Sequence, residues 1–331
     1  MDCPMAAKKT RLAASFWTAI LSVVLLIDAV GANAGPIRVE TKTVPLNADD
    51  TSEITAGKLR YLGGFEMDSP EPEFGGFSAL GVSADGKRMV AISDGGRRLA
   101  ADLLYDDVGR LTGLSVPALD SLSDTTGRPL RSKHFSDAEA MSPGVKGEII
   151  VAFERNHRLW RYLPGEIHPR PLKPPAELAA MPANGGIEAL TMLNDGSLLA
   201  ISEGPKGKSD AVAWISDREG WSVMTYASSG GFRATGAATL PNGDILILER
   251  RYTLRHGAAA RIRRLNAETI QPGARLTAKL LAELRPPLNV DNFEGIEVRR
   301  DGSGRTVVYI ISDDNFSPLQ RNLLLMFELM E

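Results

Sequence analysis

The chain has 331 residues, with 38 Lys and Arg against 41 Asp and Glu, a net charge of −3 and a single cysteine. Near-balanced charge without a clustered basic face argues against nucleic acid as a partner. The lone Cys3 excludes a disulfide framework, a thiolate metal site and a cysteine nucleophile anywhere downstream of it.

In chain order, Lys8, Lys9 and Arg11 precede an apolar run from Leu12 to Val30, and Ala32-Asn33-Ala34 follows as a small-x-small site. This is the layout of a secretory signal peptide over residues 1–34, with an uncleaved anchor helix as the alternative. It predicts a periplasmic or secreted protein that has no membrane segment once cleaved. Residues 35–57 read as an N-terminal extension and 58–331 as one β-rich domain.

That domain is repetitive. "EAMSPGVKGEIIVAFE" (139–154) and "EALTMLNDGSLLAISE" (188–203) share one grammar with "ALGVSADGKRMVAISD" (79–94), "TGAATLPNGDILILE" (235–249) and "EGIEVRRDGSGRTVVYIISD" (294–313). In each, a short apolar segment runs into a turn such as Asp195-Gly196 or Asn242-Gly243, then into a strand of nearly continuous Ile, Leu and Val. Asp-Gly and Asn-Gly between β-prone runs are strong hairpin signals, because both central residues tolerate positive φ. A strand without polar alternation is buried on both faces, as where sheets stack on sheets. Copies recur at roughly 45–65 residues, near the period of four-stranded propeller blades. The predicted fold is all-β, a single six-bladed β-propeller, with a β-sandwich as the alternative. The sixth blade is assembled from "KLRYLGGFEM" (58–67) and "NLLLMFELM" (322–330), which close the ring.

Acids bracket the hairpins: Glu139 and Glu154, Glu188 and Glu203, Glu294 and Asp313, with Asp94 and Glu249 closing the remaining two. Residues equidistant from a hairpin turn face each other at its open end, so each repeat should deliver its acids to one mouth of the central channel. Carboxylates brought together repel and lose solvation. Relief comes from protonation, from arginine partners such as Arg155 and Arg250, or from a hard cation. Calcium suits such oxygen ligands, with Glu139, Glu154, Glu188, Glu203, Glu294, Asp313 and Asp314 as its candidate ligands. Asp291, Asn292 and Asn315 enrich the last repeat in oxygen ligands, or else build Asx-turns there.

"DAEAM" (137–141), "GGIEAL" (185–190), "NFEGIE" (292–297) and above all "ISDDNFSPLQRNLLLMFEL" (311–329) resemble the phytase-like exported proteins, the esterase-like activity of phytase family. The resemblance runs from about Leu59 to the C-terminus. It implies a propeller whose recurring Glu and Asp residues mark an enzymatic site, and phosphoester hydrolysis as its chemistry.

Other chemistries lack their residues. Neither Ser78 nor Ser229 sits in a G-x-S-x-G elbow, and no two of the four histidines are spaced for a zinc helix. "GPKGKS" (204–209) is too short for a phosphate-binding P-loop and reads as a blade loop. His157 is either a surface residue or a proton carrier. The leading expectation is a calcium-assisted hydrolase of a small anionic phosphoester. Glu139, Glu188 and Glu294 act at its centre, and Arg155 and Arg250 clamp the anion. A lactonase-like metal hydrolase and a non-catalytic binding or scaffold propeller are the alternatives.

Overall fold

The computed structural model describes Met1 and residues 35–204, 210–255 and 257–330. The predicted signal peptide and most of the 204–209 loop lie outside the described residues. Among those described, the strands form five four-stranded blades around one axis. Blade I comprises Phe77–Val82, Arg88–Ser93, Arg97–Tyr105 and Leu111–Ser121. Blade II comprises Ala138–Pro143, Ile149–Phe153, Arg158–Tyr162 and Arg170–Leu172. Blade III comprises Ile187–Met192, Leu198–Ser202, Asp210–Ser216 and Trp221–Ala227. Blade IV comprises Arg233–Thr239, Ile245–Thr253, Gly257–Leu265 and Lys279–Leu284. Blade V comprises Asn292–Arg300, Thr306–Asp313, Asn322–Leu329 and, from the other end of the chain, Leu59–Asp68.

The innermost strands, 77–82, 138–143, 187–192, 233–239 and 292–300, touch one another in a closed cycle. The five repeated hairpins of the sequence are the inner halves of these blades, and their turn glycines Gly86, Gly147, Gly196, Gly243 and Gly304 all have positive φ. The sixth blade is not formed. Strands 59–68 and 322–329 do pair with each other, Phe65 opposite Leu324. Strand 322–329 also pairs with 306–313, however, so both become outer strands of blade V. A hairpin supplies only two strands of a blade. The last repeat therefore needed the terminal strands for itself.

Alternating side chains explain the unbroken apolar runs. Ile149, Val151 and Phe153 pack against blade I, whereas Ile150 and Ala152 pack against blade III. Five such hydrophobic clusters fill the five interfaces between neighbouring blades. Each Val, Leu, Ile, Phe or Met side chain buried there contributes about 1.5–3 kcal/mol, so the interfaces between blades hold the ring together.

Residues 35–57, expected as an extension, lie on the propeller. Gly35–Pro36 pairs with the outer strand of blade I and Glu40–Thr43 with strand 59–68, while Leu46 and Ala56 join the core between blades IV and V. No helix among the described residues is long and apolar enough to cross a membrane.

Candidate active site

Every innermost strand carries a β-bulge at the same level. One residue is left without a cross-strand partner in each: Ser78, Glu139, Glu188, Thr235 and Glu294. A bulge adds a residue, increases twist and re-aims a side chain, which is why bulges recur beside active sites. Here Ser78, Glu188, Thr235 and Glu294 line the narrow waist of the channel. The residue after each is Ala or Gly (Ala79, Ala140, Ala189, Gly236, Gly295), because five strands converge on the axis. A Cβ on Gly236 would lie 2.6 Å from the Glu294 carbonyl oxygen.

One step outward, at or just past the ends of the second strands, stand Asp94, Glu154, Glu203 and Asp313, and Arg250 holds the corresponding register within Ile245–Thr253. Asp94, Glu154 and Glu203 donate their backbone N–H groups to the carbonyls of Gly76, Asp137 and Gly186. Arg250 pairs with Arg233 and Asp313 with Asn292. The bulges thus break the simple symmetry expected of the hairpins. The opening acids sit deeper in the channel than the closing acids, and blade IV contributes arginine where the others contribute an acid.

Glu249, which ends the blade IV repeat in sequence, is not at the mouth. It is fully buried between strands, where it accepts the Tyr226 hydroxyl at 2.8 Å, pairs with Arg261, and meets Arg263 at 3.3 Å.

The two neutral bulge residues are occupied. Ser78 donates its hydroxyl to the Ala138 carbonyl at 2.6 Å and Thr235 donates to the Phe293 carbonyl at 3.0 Å, each stitching its blade to the next. Glu139, Glu154, Glu188 and Asp313 have no Arg or Lys within ion-pair distance among the described residues. Burial first, then the charges of Glu154 and Glu294, push the Glu188 carboxyl well above the usual range. Glu139 is raised likewise by burial and by Glu188. Burial, with Glu294 beside it, pushes Asp313 up to about 8. Glu294 is also raised by burial, opposed by Arg250 at 3.2 Å and by the Asn292 side-chain amide, which donates to it at 2.9 Å.

Around these acids stand cations. Arg155, at φ 58°, places its Nε 2.6 Å from Asp137. Lys133 bridges Asp94 and Asp137 at 2.6 and 2.5 Å, and Arg233 pairs with Glu203. Asp314 lies apart in role. Its oxygens accept from the Gly76 and Phe316 N–H groups and from the Asn322 amide, so it braces two loops and has no free oxygen aimed at the channel. His157 bonds the Pro182 carbonyl at 2.9 Å and lies beside Gly186 with Glu154. A Cβ on Gly186 would come 2.9 Å from the imidazole Nδ1 and 3.1 Å from the Glu154 Cγ.

Asp137, Glu139 and Glu154 bring one carboxylate oxygen each within 4.8 Å of one another. That donor set is all oxygen, which fits a hard cation such as calcium, and a cation there would share Asp137 with Arg155 and Lys133. Of the expected ligands, Glu188 and Glu294 lie at the waist of the same channel and Asp313 one step outward; Glu203 pairs with Arg233, Glu294 with Arg250, and Asp314 accepts from the loops.

Asp137, Arg233 and Lys133 were missed in the sequence, whereas Asn292, expected as an oxygen ligand or an Asx-turn residue, donates its amide to Glu294. A bulge has no sequence signature, and it shifts the partner of each closing acid one residue toward the N-terminus, to Gly76, Asp137, Gly186 and Asn292. The small residue after each bulge was the available signal for Ser78.

The family model for phytase-like proteins, esterase-like activity of phytase, matches residues 72–316. The chain belongs to the phytase-like family. No curated protein matches it. Among solved structures, this phytase-like chain is similar to virginiamycin B lyase from Staphylococcus aureus (12% identity over 88% of this chain and 100% of that one, TM-score 0.42). It is also similar to a putative gluconolactonase (11% identity, 92% and 97% covered, TM-score 0.43). A third is the β-propeller domain of Cps50 (Swd1) from Myceliophteria thermophila (11% identity, 89% and 100% covered, TM-score 0.39). These likenesses are distant, and the fold of the phytase-like chain rests on its own strand pairing.

Proposed function

We propose that this phytase-like propeller is an exported hydrolase of small phosphoesters, assisted by a hard divalent cation such as calcium. Export is inferred from the leader layout of residues 1–34, and the reaction class from the family and from the cup. The carrying observation is the set of three bulges that aim Glu139, Glu188 and Glu294 at one channel, unneutralised except for Arg250 on Glu294.

Arg155, Arg250 and Lys133 would bind the phosphoryl oxygens, Arg in bidentate fashion. Glu139 and Glu188 are close enough to influence each other and both are raised by burial, so they form a coupled pair able to divide an acid and a base role between them. The ionised carboxylate takes a proton from the attacking water. The new O–P bond forms as the ester P–O bond breaks, and the protonated partner gives its proton to the leaving oxygen. Asp137 and Glu154 would hold the cation, with Glu139 beside them as the ionised member of the pair, and when bound the cation would polarise phosphoryl oxygens.

Purified mature chain is to be assayed against phytate and p-nitrophenyl phosphate, with calcium and with chelator. The expected result is turnover that Glu188→Gln lowers by about 10²-fold or more without unfolding the protein. Absence of turnover under every metal condition discards the hydrolase reading. A scaffold reading also has support, because Arg155, Arg233 and Arg250 already hold acids. It expects Glu188→Gln to alter stability alone.

A further inference from the structure

After Asp313 the chain of blade V leaves the sheet and returns to it at Asn322. Asn315 and Phe316 both take left-handed backbone conformations, φ 48° and 49°. For a phenylalanine this is an outlier that costs on the order of 1–3 kcal/mol and persists only where the surroundings impose it. The surroundings here are two adjacent carboxylates. Asp313 accepts the Asn315 N–H at 2.6 Å and Asp314 accepts the Phe316 N–H at 3.2 Å. Asp314 also ties this loop to blade I through the Gly76 N–H at 2.8 Å.

The imposed conformation lays the Phe316 ring on Gly76. A Cβ at position 76 would lie 2.6 Å from the ring Cε2 and 2.5 Å from Asp94 Oδ1. Ring and carboxylate therefore meet over one glycine, at the corner where Lys133 holds the other Asp94 oxygen. That Asp94 Oδ1 is buried and has no hydrogen-bond partner among the described residues. Phe316 as a residue remains 50% exposed. A strained aromatic side chain usually gains by burial; this one is held half in water beside the cup.

We infer that Phe316 is a specificity-determining residue, the aromatic wall of a subsite for a flat, apolar organic group on the substrate. The subsite rests on the proposed phosphoester chemistry: the phosphoryl group lies among Lys133, Arg155 and Arg250, and the ester's aryl or alkenyl portion lies against the ring. Aromatic contacts of this kind are worth a few-fold to tenfold in affinity.

Binding of phenylphosphonate and methylphosphonate, neither of which can be hydrolysed as an ester, is to be measured by calorimetry on the wild-type chain and on Phe316→Gly. Glycine suits φ 49°, so the variant should melt no lower than wild type. The expected result is that wild type prefers phenylphosphonate by about threefold to tenfold and that Phe316→Gly loses this preference while its affinity for methylphosphonate stays within twofold. Equal binding of the two phosphonates by wild type, binding of neither, or an unchanged preference in Phe316→Gly overturns the subsite. The two readings separate cleanly. A phenyl preference that depends on Phe316, without turnover of any phosphoester, retains the subsite and discards the hydrolase. Turnover with no such preference does the reverse.

Discussion

Blades III and IV each bury a glutamate, Glu188 on the inner strand of one and Glu249 on the second strand of the other, yet the two acids meet opposite fates. Glu249 of blade IV is fully buried and held by Arg261, Arg263 and Tyr226. Glu188 of blade III, also buried, has neighbours of its own sign and no cation in ion-pair contact. Burial of a charge is tolerated when it is paired and hydrogen-bonded, and otherwise moves the group toward its neutral form. Blade IV thus uses its acid to hold strands together. Blade III carries an acid that costs stability, and the positions where a fold accepts such a cost are candidates for chemistry.

The largest break in this contrast is Glu249→Ala. It leaves two buried guanidinium groups short of a partner and should cost about 3–5 kcal/mol in denaturant unfolding; a loss below 1 kcal/mol would remove the structural side of the contrast. Next comes the cation. At a hundredfold excess over its Kd, calcium should stabilise the protein by about 2.7 kcal/mol at pH 8, read as a rise in Tm that Glu139→Gln and Asp137→Asn abolish. At pH 5 the rise should be smaller, since protons then compete for the same oxygens.

The pH profile sharpens the other side. Asp313 and Glu297, which ordinarily titrate at 3.8 and 4.5, are each pushed up to about 8 by burial, and Glu139 and Glu188 move in the same direction. Between those values the native state binds more protons than the unfolded chain. Stability without metal should therefore fall as pH rises from about 4 to about 8. Glu188→Gln should flatten part of that slope, gaining about 1.4 kcal/mol at pH 8 for each pKa unit relieved, while leaving stability at pH 4 unchanged. The smallest expected effect is at a neutral bulge. Thr235→Val loses the bond to the Phe293 carbonyl and should cost about 1 kcal/mol, with little effect on turnover.

Much of the propeller was legible in the chain. Unbroken runs such as Ile149 to Phe153 announced strands covered on both faces, and the turn glycines set each hairpin. What the chain does not show is how many outer strands a hairpin recruits, so the ends were read as an extra blade instead of the outer half of blade V. The site was legible as residue types and only partly as geometry. Glu139, Glu188, Glu294, Arg155 and Arg250 do gather at one mouth. Asp137 escaped because a one-residue bulge, set by backbone twist near the axis, decides which side chain faces the closing acid. Glu249 misled for the same reason: a repeat shorter by one residue puts its final acid on the other face of the strand.

The pairing of strand 59–68 with 322–329 has a consequence for biogenesis. A growing polypeptide holds every acid of the cup well before its last segment emerges, but the circle has no clasp until that segment reaches back to the beginning. Deleting the final eight or so residues would spare each functional side chain and still leave an open arc. Assembly of the site is thereby deferred until the last strand has been made and has found its partner.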